Sequence, residues 1–251
     1  MKNKKSLGQH WLKNRAILDT IAELASVEGA DTCIEIGPGL GTLTSSLLKK
    51  FPEVIAIEYD HDLARKLPGS FPGKNLRVIE GDIISIDLAE LASGKPYCIA
   101  GNIPYYITSP IVKKVLDATP HPAKIVLLMQ KEVAERIAAE PGDYNLLALT
   151  TQNLAEVELG PVVRAAEFTP PPKVDSQILV LTPFTEPQID PAHLELAKRG
   201  FKNPRKKLAS VLADGSTSRE QWRARFSEQG INPDARAEDL SLLDWETLSQ
   251  L

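Results

Sequence analysis

A doubly wound, mostly parallel α/β sheet followed by a small helical domain is the fold this sequence predicts. Three observations lead there. Five short apolar runs rich in Val and Ile alternate with stretches of helical period, as buried parallel strands joined by crossover helices do. Two further strand-like runs are separated by a loop instead of a helix, which fits an antiparallel hairpin closing one sheet edge. After Thr182-Pro-Phe-Thr-Glu-Pro187 no strong strand run remains and helical patterns dominate.

In chain order, the predicted strands cover 32–36, 54–58, 76–80, 97–101, 125–129, 156–159 and 177–181. The first five read as continuous apolar runs, the pattern of strands covered on both faces. Between them, Ile17, Leu18, Ile21, Ala22 and Leu24 form one helical face. Leu43, Leu47 and Leu48 form a second, and Ile111, Val112, Val115 and Leu116 a third. The loop before the last strand, Phe168-Thr-Pro-Pro-Pro-Lys-Val-Asp-Ser176, carries three prolines that stiffen it and exclude it from a ladder. Helices follow near 191–202, 205–213, 218–229 and 241–250. The expected division is a domain of 1–185, opening on a basic segment at 1–15, and a helical domain of 186–251.

Composition narrows the class. The chain has 251 residues, with 43% hydrophobic and 25% charged, ordinary for a soluble globular protein. No apolar run approaches the ~20 residues a membrane helix needs. The start, Met-Lys-Asn-Lys-Lys-Ser, is basic without an apolar stretch behind it, so no secretion signal is expected. Cys33 and Cys98 each sit inside an apolar run and read as small core residues. With no Cys-x-x-Cys pair and four scattered histidines, no metal site is expected, and a reducing cytoplasm fits.

The net charge of −4 does not by itself suggest nucleic acid, but its distribution does. Residues 198–207 hold six bases and no acid, and the first fifteen residues hold Lys2, Lys4, Lys5, Lys13 and Arg15, again without an acid. Each segment carries an aromatic residue, Phe201 or Trp11. Together they predict a footprint for a phosphate backbone, with Lys202, Arg205, Lys206 and Lys207 as its candidates in the tail.

The chemistry-bearing motifs lie at strand ends. Ile34-Glu-Ile-Gly37-Pro-Gly39-Leu-Gly41 follows the first strand and opens a helix. A dinucleotide fingerprint would need glycine at position 42, where Thr42 stands, so the spacing suits a nucleoside without pyrophosphate. Glu58 ends the second strand, where a carboxylate can accept both ribose hydroxyls. Asp82 follows the third strand and can accept from an adenine amino group. Ligands of open α/β sheets bind along this carboxyl edge. An adenosine-bearing cofactor lacking pyrophosphate points to S-adenosylmethionine.

Asn102-Ile103-Pro104-Tyr105 sits at the same edge, after the fourth strand. The N6 amine of adenine is a poor nucleophile because its lone pair is delocalised into the ring. An acceptor on each N–H favours a pyramidal nitrogen with a localised pair. The Asn102 side-chain oxygen can be one acceptor and a backbone carbonyl of the turn the other. Proline holds the turn, and Tyr105 can stack on the base. Phe168 is the candidate for the opposite stacking surface.

These motifs resemble those of the ribosomal RNA adenine N6,N6-dimethyltransferases, most closely the bacterial small-subunit group. The resemblance runs nearly end to end, through Ser6-Leu-Gly-Gln-His-Trp-Leu12, Glu35-Ile-Gly-Pro-Gly-Leu-Gly41, Gly101-Asn-Ile-Pro-Tyr105, Met129-Gln-Lys-Glu-Val133 and the Phe168–Ser176 loop. It implies a Rossmann-like class I methyltransferase sheet and an RNA-facing helical tail. It implies cofactor contacts at His10, Leu12, Gly37, Gly39, Glu58, Asp82 and Asn102, with Tyr105 and Phe168 flanking the target. It implies a substrate of two adjacent adenosines in a hairpin near the 3′ end of small-subunit rRNA, each dimethylated on an assembling 30S particle by a monomeric enzyme. Asn203-Pro-Arg-Lys-Lys207 is similar to the basic segment of that tail. Two positions depart from the commonest pattern: Trp11 where phenylalanine is usual, and Tyr106 where asparagine is frequent. Two other readings stand beside this one. The first is a large-subunit adenine methyltransferase of the antibiotic-resistance type, which the full proline loop and the opening motif disfavour. The second is a non-catalytic RNA-binding factor on the same fold, which the presence of Glu58, Asp82, Asn102 and Tyr105 disfavours.

Overall fold

The computed structural model describes residues 10–251; Lys2, Lys4, Lys5 and positions 6–9 of the opening motif lie outside the described residues. Its strands are β1 Trp11–Leu12, β2 Thr32–Ile36, β3 Glu53–Glu58, β4 Leu76–Glu80, β5 Tyr97–Asn102, β6 Lys124–Gln130, β7 Ala155–Val163, β8 Phe168–Thr169 and β9 Ser176–Pro183. Its α-helices are α1 Arg15–Ala25, α2 Thr42–Lys50, α3 His61–Lys66, α4 Leu88–Leu91, α5 Thr108–Leu116, α6 Lys131–Ile137, α7 Leu146–Gln152, α8 Leu194–Gly200, α9 Leu208–Leu212, α10 Arg219–Glu228 and α11 Leu242–Ser249. The chain divides into two units, 1–134 with 156–183, and 135–155 with 184–251.

The first unit is an α/β fold on a seven-stranded sheet ordered β4-β3-β2-β5-β6-β9-β7. The five predicted parallel strands pair in parallel, and β9 runs antiparallel to β6 with Ile125 opposite Leu181. β2 is buried along its whole length, and most of β5 and β6 is too, because helices cover both faces. The predicted face of α1 is the buried one: Leu18, Ile21 and Ala22 pack into the core, and Asn14 caps the helix by accepting from the Ala16 and Ile17 amides. Cys33 and Cys98 are buried, unpaired, and opposite each other in the β2–β5 ladder.

One ladder lay outside the sequence expectation. The prolines do keep 170–172 out of any strand, but Phe168 and Thr169 precede them and pair antiparallel with Trp11 and Leu12. This two-stranded sheet ties the start of the described chain to the proline loop.

The parallel sheet needs close spacing where it carries chemistry. A Cβ on Gly101 would stand 2.9 Å from the Ile36 carbonyl oxygen and 3.1 Å from the Ile36 Cβ. Backbone of a neighbouring strand cannot swing aside as a side chain can. Gly101→Ala is therefore expected to cost about 1–3 kcal/mol, read as a lower urea midpoint at unchanged slope. An unchanged midpoint would mean that β2 and β5 separate freely.

The second unit has its own core. Trp245, Phe226, Leu208 and Leu212 are fully buried there, with Trp222 nearly so. Capping boxes start α10 and α11, at Ser218 with Gln221 and at Ser241 with Asp244. The unit also takes in 135–155, which the sequence placed before a boundary near 185. The reason is local: Leu149 of α7 joins this core, and the Asn153 side chain donates to the Ile189 carbonyl (3.0 Å) and accepts from the Ile189 amide (2.8 Å). Within this unit Lys202, Arg205, Lys206 and Lys207 are all exposed in the turn between α8 and α9. No described helix is long and apolar enough to cross a membrane.

Candidate active site

A cavity of about 380 Å³ opens at the carboxyl edge of the parallel strands. The turns after β2, β3, β4 and β5 all reach it, so it is lined by Glu35, Gly37 and Gly39, by Glu58 and Tyr59, by Asp82 and Ile83, and by Asn102, Tyr105 and Tyr106. His10 and Trp11 complete one wall. Of the predicted site residues, the structure thus brings together His10, Gly37, Gly39, Glu58, Asp82, Asn102 and Tyr105.

Glu58 is nearly buried and serves the glycine loop before any ligand arrives. Its Oε2 accepts from the Gly39 amide (3.0 Å) and its Oε1 from the Asp60 amide (2.8 Å). Burial pushes its pKa up from the carboxylate range, and those amides oppose the shift. A carboxylate offers about four acceptor sites, so capacity remains for the cavity. Asp82 is exposed, and its Oδ1 accepts from the Ile84 amide at 3.0 Å. Gly39 lies in the left-handed region at φ +57°, and a Cβ there would meet the Trp11 indole nitrogen at 3.2 Å. At Gly37 the corresponding position is open, with nothing within 4 Å.

Asn102 ends β5 with its amide held in one orientation. Its Nδ2 donates to the His10 carbonyl at 3.0 Å, and among the described residues no donor pairs with its Oδ1. The sequence assigned that oxygen an acceptor role toward the target amine. The Tyr105 hydroxyl is 2.7 Å from the Ser176 Oγ, and its ring lies 5.8 Å from the His10 ring at 19° to it. The His10 Nδ1 is 2.8 Å from the Pro170 carbonyl. A carbonyl only accepts, so this nitrogen carries the proton.

Two predicted contacts do not reach the cavity with their side chains. Leu12 is 1% exposed and Phe168 is 3% exposed, and both belong to the core. The register explains both: Leu12 and Phe168 are direct partners in the β1–β8 ladder, so they share a face. Successive strand residues point to opposite sides, and it is Trp11, not Leu12, that lines the cavity. The proline loop therefore builds the site through Pro170 and Ser176, which hold His10 and Tyr105, and not through the Phe168 ring.

Among the cavity residues given no cofactor or target contact in the sequence reading are Trp11, Tyr59 and Glu35. Trp11 was named only as the aromatic of the basic segment and as a departure from the family pattern, and its place on the cavity wall follows from the β1–β8 register. Tyr59, 67% exposed on the cavity wall, directly follows Glu58. Glu35 had the clearest signal, a lone acid between Ile34 and Ile36 in a buried strand. It is 1% exposed; its Oε2 accepts from the Thr44 hydroxyl (2.6 Å), while its Oε1 is buried without a partner. Burial, with Glu58 adding repulsion, pushes its pKa up to about 8. A buried carboxylate oxygen aimed at a cavity calls for a cation or donor to complete it. With the open space at Gly37, the strand-end acids and Glu35, the residues present fit a nucleoside carrying a cationic amino-acid tail.

The family described as ribosomal RNA adenine dimethylase matches the chain over residues 1–251. A protein of Gloeobacter violaceus named ribosomal RNA small subunit methyltransferase A is 44% identical over 255 residues, covering 98% of this chain and 92% of the relative. One of the same name from Rippkaea orientalis is 41% identical, covering 99% and 97%. Among solved structures, a dimethyladenosine transferase from Plasmodium falciparum superposes with a TM-score of 0.79 at 28% identity, covering 95% of this chain and 96% of that one. The 23S rRNA methyltransferase ErmE superposes at 0.76 and 28%, covering 96% and 98%.

Proposed function

The chain belongs to the ribosomal RNA adenine dimethylase family, whose members are methyltransferases, and on that premise we propose how this one works. It dimethylates N6 of two adjacent adenosines in a hairpin near the 3′ end of small-subunit rRNA, as a cytoplasmic monomer acting on an assembling 30S particle. The methyl donor implied by the family is S-adenosylmethionine. The observation that carries the reading is Asn102: its amide is held by the His10 carbonyl, and its Oδ1 has no partner among the described residues, in the same cavity as Glu35, Glu58 and Asp82.

When bound, S-adenosylmethionine supplies a methyl group already activated by its sulfonium. The residues of this chain bind and align. Glu58 accepts from the ribose hydroxyls, and Asp82 accepts from the cofactor's adenine amine. Glu35, through its unpartnered Oε1, takes the methionine ammonium. Gly37 leaves room for the chain between them. On the target, Asn102 Oδ1 and a backbone carbonyl of the 102–105 turn accept the two N6 hydrogens, which localises the nitrogen lone pair. Tyr105, anchored through Ser176, stacks on the base. Such alignment lowers the barrier without a strong general base.

Radiolabelled methyl transfer to immature small subunits, followed by nucleoside analysis and mapping, tests the reading. Dimethyladenosine in small-subunit rRNA is expected. Label appearing in large-subunit rRNA instead would establish the antibiotic-resistance type of activity, and no transfer with no cofactor binding would establish a non-catalytic factor.

The helical unit is proposed to face the RNA through Lys202, Arg205, Lys206 and Lys207. Only Lys207 has an acidic neighbour, Asp234 at 3.9 Å, among the described residues. Neutralising all four is expected to weaken particle binding and to flatten the plot of log affinity against log salt by about 3 units. An unchanged salt slope rules the segment out as a phosphate contact.

A further inference from the structure

Among the large apolar side chains exposed on the described residues, the aromatic ones are Tyr59 and Tyr106, each 67% exposed, and both line the candidate active-site cavity. They come from different turns: Tyr59 directly follows Glu58 at the end of β3, and Tyr106 directly follows Tyr105 in the turn after β5. No hydrogen bond or ring contact holds the Tyr106 side chain among the described residues. Its backbone, in contrast, is held in a single 3-10 turn, Tyr105–Ile107, with the Ile107 amide donating to Pro104 and the Thr108 hydroxyl to Tyr105.

Successive residues of such a turn point about 120° apart. Tyr105 is half-buried and tied to Ser176, so the ring of Tyr106 cannot lie on the base that Tyr105 stacks. Any polynucleotide that delivers one adenosine to Asn102 and Tyr105 also brings that adenosine's chain neighbour to the mouth. An exposed aromatic ring on a rigid turn is a ready surface for that neighbour.

We propose that Tyr106 is a second stacking platform, one that holds the nucleotide adjacent to the target and favours a purine there. The inference rests on the proposed RNA substrate. Purines present the larger face to a ring, so the preference follows from stacking and needs no base-edge hydrogen bond.

The test is steady-state methylation by the wild type, Tyr106→Ala and Tyr106→Phe on small-subunit particles whose target neighbour is a purine or a pyrimidine, with cofactor affinity measured in parallel by calorimetry. Tyr106→Ala is expected to raise KM for purine-neighbour particles about 10-fold and to erase the purine preference, with cofactor affinity unchanged. Tyr106→Phe keeps the ring and is expected to behave as wild type. Because Tyr106 is exposed, all three proteins should share a melting temperature. An unchanged KM in Tyr106→Ala, a purine preference that survives the substitution, or a KM rise matched by lost cofactor affinity overturns the platform. Absence of methylation by the wild type overturns the substrate reading itself, and the platform with it.

Discussion

Asn102→Ala is expected to lower methyl transfer by about 10²–10³-fold while cofactor affinity falls less than about tenfold. The asymmetry follows from what each part of the side chain does. Its Nδ2 is spent on the His10 carbonyl, which fixes the amide, and its Oδ1 faces the cavity with no donor from the described residues. The acceptor matters most when the N6 lone pair localises, so its loss falls on the transition state more than on binding. Glu58, Asp82 and Glu35 remain to hold the cofactor. Asn102→Asp keeps an acceptor but places a carboxylate oxygen against the His10 carbonyl, so it should recover little activity. Single-turnover transfer at saturating cofactor, with calorimetry alongside, checks this. Normal turnover by the alanine variant would remove Asn102 from the mechanism.

Glu35→Gln is expected to weaken S-adenosylmethionine binding by about 10²-fold or more, because it removes the partner of a buried ammonium. It also makes a stability prediction of definite sign. In the unliganded fold the Glu35 pKa is raised from 4.5 to about 8. Below the unfolded value both states are protonated and the full stability is present. As pH rises from about 4.5 to about 8, the unfolded chain ionises while the fold keeps the proton, and stability is lost. Glutamine can still accept from Thr44 but cannot ionise. The variant should therefore exceed the wild type at pH 8 by an amount on the order of a few kcal/mol, and the two should converge below pH 4.5. Cofactor binding should draw the proton off Glu35, so wild-type affinity rises as pH approaches 8, with proton release visible by calorimetry in buffers of different ionisation heat. Equal cofactor affinity of the two proteins at pH 7.5 would sink the assignment.

Much of this was legible in the chain, for identifiable reasons. Four of the five parallel strands announced themselves through largely apolar runs that are buried in the sheet, whereas β4, at its edge, is only partly buried and exposes Arg77 and Glu80. Gly37, Gly39, Glu58, Asp82 and Asn102 meet in one cavity because each lies at or just after a strand end, and parallel strands bring all such ends to one edge. The side chains of Leu12 and Phe168 do not line that cavity, because their orientation depends on a two-residue ladder between segments 156 positions apart, and nothing local signals that register. Glu35 was quoted in the motif and left without a role, since only burial distinguishes an orphaned carboxylate from an ordinary one.

The sequence by itself determined the α/β class, the family resemblance and the strand ends that carry the site, because hydrophobic period and turn chemistry are local properties. Only the tertiary structure decided which side chains face the cavity: Trp11 in place of Leu12, and Pro170 and Ser176 as anchors in place of the Phe168 ring. It alone decided that 135–155 belongs with the helical unit and that Glu35 holds an unpaired oxygen. Facing, burial and pairing are set by contacts between distant segments, and those exist only once the chain has folded.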